Sequence, residues 1–188
     1  MKLLKEMITE KGIALGPSIL KVDSFLNHQI DPTLMIEVGK ELYNRFKDCG
    51  INKILTIEAS GIAVGPAAAY AFNVPLVFAK KKKPSTMNDS YVASIHSFTK
   101  QTDYTVCVSK EFLSEGDKVL IVDDFLAMGN AVLGLKEILH QAKADLVGVG
   151  IVIEKGFQEG SKVLEEHGIR LESLAVIESL AEGQITLK

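Results

Sequence analysis

The run Val119-Leu-Ile-Val-Asp123-Asp124-Phe125-Leu126-Ala127-Met128-Gly129-Asn130-Ala131 holds the residues best placed to do chemistry. Four apolar residues, Val119–Val122, read as a buried strand, and two adjacent acids sit at its carboxyl end. In open α/β sheets ligands bind at that end of the strands. Paired carboxylates there can accept hydrogen bonds from vicinal hydroxyls such as those of a ribose. The small residues Ala127, Gly129 and Ala131 then lead into a helix beginning near Asn130. The N–H groups at a helix start point at an anion, aided by the helix dipole. Gly129 permits close approach or a positive φ. An isolated Asp-Asp pair reads equally well as surface acids. The whole passage from strand to helix instead points to a phosphorylated sugar.

Other motifs are absent or bland. There is no GxxxxGK[ST] phosphate loop. Gly148-Val-Gly150 lacks a third glycine at dinucleotide spacing, Ile153 standing there, and it lies inside a strand. Those glycines read as packing or close-approach positions. Ser60 has no GxSxG around it and is not a nucleophile candidate. His28, His96, His140 and His167 show no partner spacing. The run Lys80–Lys83 is either a solvated turn or an attractor of phosphates.

The elements that must hold these residues alternate. Leu3, Leu4, Met7 and Ile8 predict an N-terminal helix, with Gly12 as its stop, and Ile19–Val22 a short strand. Asp31-Pro32 opens a helix carried by Leu34, Met35, Val38, Leu42 and Phe46 until Gly50. Beyond it come a strand (Lys53–Ile57), a helix (Ile62–Phe72) and a strand (Pro75–Ala79). Later the same order returns: a strand (Lys118–Val122), a helix (Asn130–Ala142) and a strand (Asp145–Ile153). Alternation of this kind predicts a mainly parallel sheet with helices on both faces. The stretch from Lys80 to Gly116 breaks it, with Tyr91–Phe98 and Tyr104–Val108 reading as an antiparallel pair. A polar excursion of this length inside a compact domain is often a functional lid.

Composition bounds the rest. Hydrophobic residues make up 47% of 188, enough for a sizeable core and against disorder. Lys and Arg number 21 and Asp and Glu 24, so the formal charge is −3. That balance gives no footprint for nucleic acid. No apolar run is long enough for a membrane span, and Met1–Gly12 mixes Lys and Glu with its apolar residues, so it is not expected to be a signal peptide. The two cysteines, Cys49 and Cys107, lie outside any metal-binding spacing and suit a reducing compartment. A cytoplasmic location is expected.

The Val119–Ala131 run resembles the phosphoribosyl pyrophosphate signature of the type I phosphoribosyltransferases, and the order of elements agrees over most of the chain. Three further stretches, Leu20 to Pro32, His96 to Thr102 and Val152 to Phe157, resemble the xanthine-using bacterial members of that family. The resemblance implies a single α/β domain over 1–188, its core about 31–153 and a hood from about 1–30 and 154–188. The implied reaction joins xanthine to 5-phosphoribosyl 1-pyrophosphate, with magnesium accompanying the pyrophosphate and the chain working as a homodimer.

Residue by residue, the resemblance gives Ala127, Met128, Gly129, Asn130 and Ala131 the 5′-phosphate. Asp123 and Asp124 take the ribose hydroxyls and the positive charge that develops on the sugar. Glu58, Ala59, Ser60 and Gly61, between a strand and a helix, match the pyrophosphate loop, and the excursion after Ala79 matches a flexible lid. Leu20 and Asn27 match hood positions touching the base, although Asn27 taken alone reads as a turn residue. Lys155, at the end of an apolar strand, can donate to an exocyclic oxygen of a 6-oxopurine; Phe157 either stacks on the ring or belongs to the core. Ala127 departs from hypoxanthine-guanine relatives, which carry an aspartate there. Two other functions fit parts of the pattern: the same transfer to guanine or hypoxanthine, and a phosphoribosyl pyrophosphate-sensing regulator.

Overall fold

A computed structural model describes residues 1–82, 84–85, 87, 89–97, 102–181 and 183–188. Lys83, the last of the four lysines, and Phe98, at the end of the expected Tyr91–Phe98 strand, lie outside the described residues.

The chain opens with α1 (Lys2–Lys11), a hairpin of β1 (Ile13–Leu15) and β2 (Ile19–Lys21), and a π turn over Asp23–Asn27. α2 (Pro32–Phe46) starts as its sequence predicts: Pro32 is its first residue and the Asp31 carboxylate accepts from the Leu34 N–H at 3.0 Å. A short 3-10 turn follows, and Gly50 closes it at φ 67°. β3 (Lys53–Ile57), α3 (Gly61–Phe72) and β4 (Leu76–Ala79) form the first parallel unit. β5 (Ser90–Ser97) and β6 (Thr102–Ser109) pair antiparallel, as expected. β7 (Lys118–Leu126), α4 (Asn130–Ala142), β8 (Asp145–Lys155), α5 (Gly160–Glu166), β9 (Leu171–Ala181) and β10 (Gln184–Leu187) complete the order.

Six strands make the central sheet, in the order β10-β9-β8-β7-β3-β4, parallel except for β10. The chain passes from β3 to β4 on one side and then returns to place β7 on the other side of β3. That reversal opens a crevice at the carboxyl ends of β3 and β7. Both acids and the Glu58–Gly61 segment stand at this crevice. Apolar side chains fill both faces of the sheet. Leu120 and Val122 join Leu4, Phe46 and Val64 in one core, while Val119 and Ile121 join Ile95, Leu135 and Leu164 in the other. Gly148 and Gly150 let α2 sit flush on β8: an added Cβ would come within 2.6 Å of Phe46 and of Leu42.

Two expectations need correction. β7 does not stop at Val122; its ladder with β8 continues through Asp123–Ile151, Phe125–Ile153 and Leu126–Glu154. The acids end the apolar run, but backbone pairing does not depend on side-chain polarity, so they stand within the strand. For the same reason β8 outlasts Ile153 and ends at Lys155. Four elements had no sequence signal strong enough to place them: β1, α5, β9 and β10. The segment expected to contribute to a hood, 154–188, supplies β9 and β10 to the central sheet itself.

Candidate active site

The two acids occupy different environments. Asp123 is buried, and its Oδ1 accepts from the Asp124 N–H at 2.9 Å. Burial and the neighbouring Asp124 carboxylate push the Asp123 carboxyl well above the usual carboxylate range; Lys81 pulls weakly the other way. Asp124 is buried too, but it bridges two segments. Its Oδ1 accepts from the Ser60 hydroxyl at 2.9 Å and its Oδ2 from the Asn27 side-chain amide at 3.1 Å. One carboxylate thus ties the π turn, the β3–α3 loop and β7 together.

The Glu58–Gly61 loop is set by contacts on both sides. Its Glu58–Ala59 peptide bond is cis. The Glu58 N–H donates to the Ala79 carbonyl at 3.1 Å, and the Glu58 carboxylate accepts from the Lys81 N–H at 2.6 Å. Ser60 precedes α3, yet its hydroxyl does not cap that helix; it serves Asp124 instead. Gly61 has no room for a side chain. A Cβ there would lie 2.2 Å from the Thr56 hydroxyl and 2.7 Å from Asp123 Oδ1.

The Ala127–Ala131 loop turns into α4 at Gly129, whose φ of 85° disfavours any residue with a Cβ. The first intrahelical bond runs from the Leu133 N–H to the Gly129 carbonyl, so the N–H groups of Asn130, Ala131 and Val132 face outward from the helix start. The start of α5 supports this loop from behind. The Gly160 N–H donates to the Ala127 carbonyl at 2.9 Å, and a Cβ at Gly160 would lie 2.4 Å from that oxygen. A cavity of about 190 Å³ opens over the loop, lined also by Asp123, Tyr104 and His96. A larger one, about 610 Å³, runs along the β4 edge and touches neither acid.

Lys155 ends β8 with its ammonium 5.7 Å from the Phe125 ring, donating to the Ser18 carbonyl at 2.8 Å. Burial lowers its pKa. Leu20 is buried in the core beneath the β1–β2 hairpin, and Phe157 packs partly buried against the same core. Asn27 reaches Asp124, as given above.

Sequence reasoning missed Phe125, Tyr104 and Gly160. Phe125 lies inside the run it singled out, but only the longer β7 carries its ring to Lys155. Tyr104 comes from the β5–β6 excursion. Burial, and then Asp123, push its phenol above the usual range, and the Lys81 ammonium sits 5.4 Å from its ring. No local signal could have placed it there. For Gly160 the only signal was a glycine at a turn.

The phosphoribosyl transferase domain family matches residues 27–168. Curated relatives include a xanthine phosphoribosyltransferase of Oceanobacillus iheyensis, 54% identical over 100% of this chain and 97% of its own length. A xanthine phosphoribosyltransferase of Staphylococcus aureus (strain JH9) is 57% identical over 100% of this chain and 98% of its own. Among solved structures, adenine phosphoribosyltransferase from Rhodothermus marinus superposes with a TM-score of 0.76 at 19% identity, covering 94% of this chain and 100% of that one. At that identity the likeness speaks for the fold alone.

Proposed function

Because the chain belongs to the phosphoribosyl transferase domain family, we propose that it transfers the phosphoribosyl group of 5-phosphoribosyl 1-pyrophosphate to xanthine. The products are xanthosine 5′-monophosphate and pyrophosphate, and the setting is purine salvage. The observation that carries this reading is that relatives at 54% and 57% identity over the whole chain are named xanthine phosphoribosyltransferase.

The site's chemistry supports it. The bond from ribose C1 to the pyrophosphate oxygen breaks, positive charge develops on the sugar, and a ring nitrogen of xanthine bonds to C1. Asp123 and Asp124 take the ribose hydroxyls. Burial and Asp124 oppose a charge on Asp123, whereas a cationic sugar beside it favours one. Its stabilising effect therefore grows as the cation forms, which is the condition for lowering the barrier. The outward N–H groups from Ala127 to Ala131 take the 5′-phosphate, and Glu58, Ala59, Ser60 and Gly61 take the pyrophosphate. The Ser60 bond to Asp124 couples that loop to the ribose acids. Lys155 donates to an exocyclic oxygen of the base, with Phe125 beside it and Leu20 and Asn27 closing the hood.

Magnesium belongs to this reading as part of the substrate. Among the described residues no cluster of three or more His, Cys, Asp or Glu could cage a cation. Mg²⁺ commonly rides on phosphate oxygens and water with few protein ligands, and it would offset charge on the leaving pyrophosphate. No helix among the described residues is long and apolar enough to cross a membrane. A single domain, a cytoplasmic location and a homodimer complete the proposal. Phe78 and Phe112 expose apolar surface beside the edge strand β4, where a second copy would cover it.

The test is pyrophosphate release with 5-phosphoribosyl 1-pyrophosphate and magnesium, offering xanthine, guanine, hypoxanthine and adenine in turn. Xanthine is expected to turn over fastest. Faster release with guanine or hypoxanthine would reassign the base. No release with any base, while 5-phosphoribosyl 1-pyrophosphate still binds, would make the protein a sensor.

A further inference from the structure

The β5–β6 hairpin is docked along α4 at three levels. At the helix start, the Asn130 side-chain amide donates to the His96 carbonyl at 2.9 Å. In the middle, Ile95 packs onto Gly134 so closely that a Cβ there would come within 2.4 Å of it. At the far end, the Gln141 amide donates to the Val92 carbonyl at 2.9 Å and accepts from the Val92 N–H at 3.2 Å, an imitation of a strand pair. The same hairpin carries Tyr104, opposite Ile95 in register, into the cavity beside Asp123.

Asn130 therefore has two duties. Its backbone N–H belongs to the helix start that faces the anion, and its side chain holds the hairpin. We propose that Asn130 is a positioning residue that couples occupancy of the phosphate loop to the β5–β6 hairpin, so that binding a sugar phosphate fixes the Tyr104 wall of the site. This rests on the phosphate-loop reading given above. A phosphate drawn onto the N–H groups of Asn130 and Ala131 orders the loop backbone, and the Asn130 side chain is then fixed against His96. By linkage, the factor by which the ligand protects the hairpin is the factor by which the phosphate site weakens once the hairpin is open, so a variant loses affinity only to the extent that it populates the open hairpin. Gln141 makes this testable at a distance. It lies roughly 16 Å along the helix from Asn130 and takes no part in the proposed binding of the sugar phosphate.

The probe is ribose 5-phosphate, with binding followed by calorimetry and the hairpin by amide hydrogen exchange. In the unaltered protein, saturating ribose 5-phosphate should slow exchange across residues 92–96 roughly five-fold, the factor of one net hydrogen bond. In Asn130→Ala at equal occupancy that slowing should vanish. Gln141→Ala should speed hairpin exchange about two- to five-fold without ligand, while saturating ribose 5-phosphate should still slow it roughly five-fold, because Asn130 is intact. The proposal is overturned if Asn130→Ala keeps the slowing, or if Gln141→Ala, with Asn130 intact, loses it. Should Asn130→Ala bind no ligand, Asn130→Ser, whose shorter side chain falls short of the His96 carbonyl, is read in the same way. Ribose 5-phosphate binding without any hairpin slowing sinks the coupling alone; no binding by the unaltered protein sinks the coupling and the functional reading together.

Discussion

Replacing Gly61 with alanine should damage stability and turnover together, and the structure says by how much. The added Cβ would stand 2.2 Å from Thr56 Oγ1 and 2.7 Å from Asp123 Oδ1. Neither atom can step aside freely. Thr56 is fully buried and its hydroxyl donates to the Val122 carbonyl at 2.7 Å. Asp123 is held by the Asp124 N–H. Overpacking a tight core costs about 1–3 kcal/mol, and breaking a buried hydroxyl bond costs about another 1–3 kcal/mol. The expected loss is then roughly 2–6 kcal/mol, which lowers Tm by about 2–4 °C per kcal/mol for a chain of this size. The reacting groups also shift. A displacement of about 1 Å in a catalytic group can cost on the order of 100-fold in rate. The assays are thermal unfolding and pyrophosphate release with xanthine. Gly116→Ala is the control, because Gly116 has φ 81° but nothing within 4 Å of an added Cβ. It should lose about 1 kcal/mol from backbone strain and keep its turnover. A Gly61→Ala protein with Tm within a degree of the parent and turnover within two-fold would refute the contact argument.

Asp123→Asn should stabilise the fold while removing activity. The Asp123 pKa is raised in the folded state by burial and by Asp124. Its contribution to stability is therefore present below the unfolded carboxylate value of about 4 and is lost as pH rises. The variant should gain about 1–3 kcal/mol over the parent at neutral pH, with the gap closing on acidification in urea titrations from pH 7 to pH 4. Lys155→Met should raise KM for xanthine by about 10- to 100-fold, the worth of a charged hydrogen bond, and leave ribose 5-phosphate binding unchanged by calorimetry. Gly160→Ala should displace the Ala127 carbonyl and raise KM for 5-phosphoribosyl 1-pyrophosphate by about ten-fold or more, with a smaller effect on xanthine. Ala127→Asp should not speed xanthine turnover, since xanthine is acidic enough to react without a loop carboxylate; a markedly faster variant in steady-state assays would show that the missing acid matters.

The chain's local chemistry was enough to find the strand Val119–Val122, the acids after it, the glycine that turns the loop and the helix from Asn130. Each of these depends on near neighbours: apolar runs, a residue without a Cβ, a helix start that leaves N–H groups unpaired. Asp31 and Pro32 marked the start of α2 for the same reason. What local chemistry could not supply was partnership across the sequence. Asn27 and Ser60 reach Asp124 only because β3 and β7 are neighbours and the π turn packs above them. The true length of β7 depended on β8 offering a ladder to residues whose side chains are charged. β10 is half polar at the sheet's edge and β9 breaks its apolar run with Glu and Ser, so they carried too little pattern to be seen before the sheet existed to receive them. The hairpin after Ala79 was legible as two strands, but its docking on α4 through Asn130, Gly134 and Gln141 was not. Spacing along a chain records which chemistry is present; only the packing of distant segments decides which carboxylate is buried, which hydroxyl serves it and which glycine must stay bare.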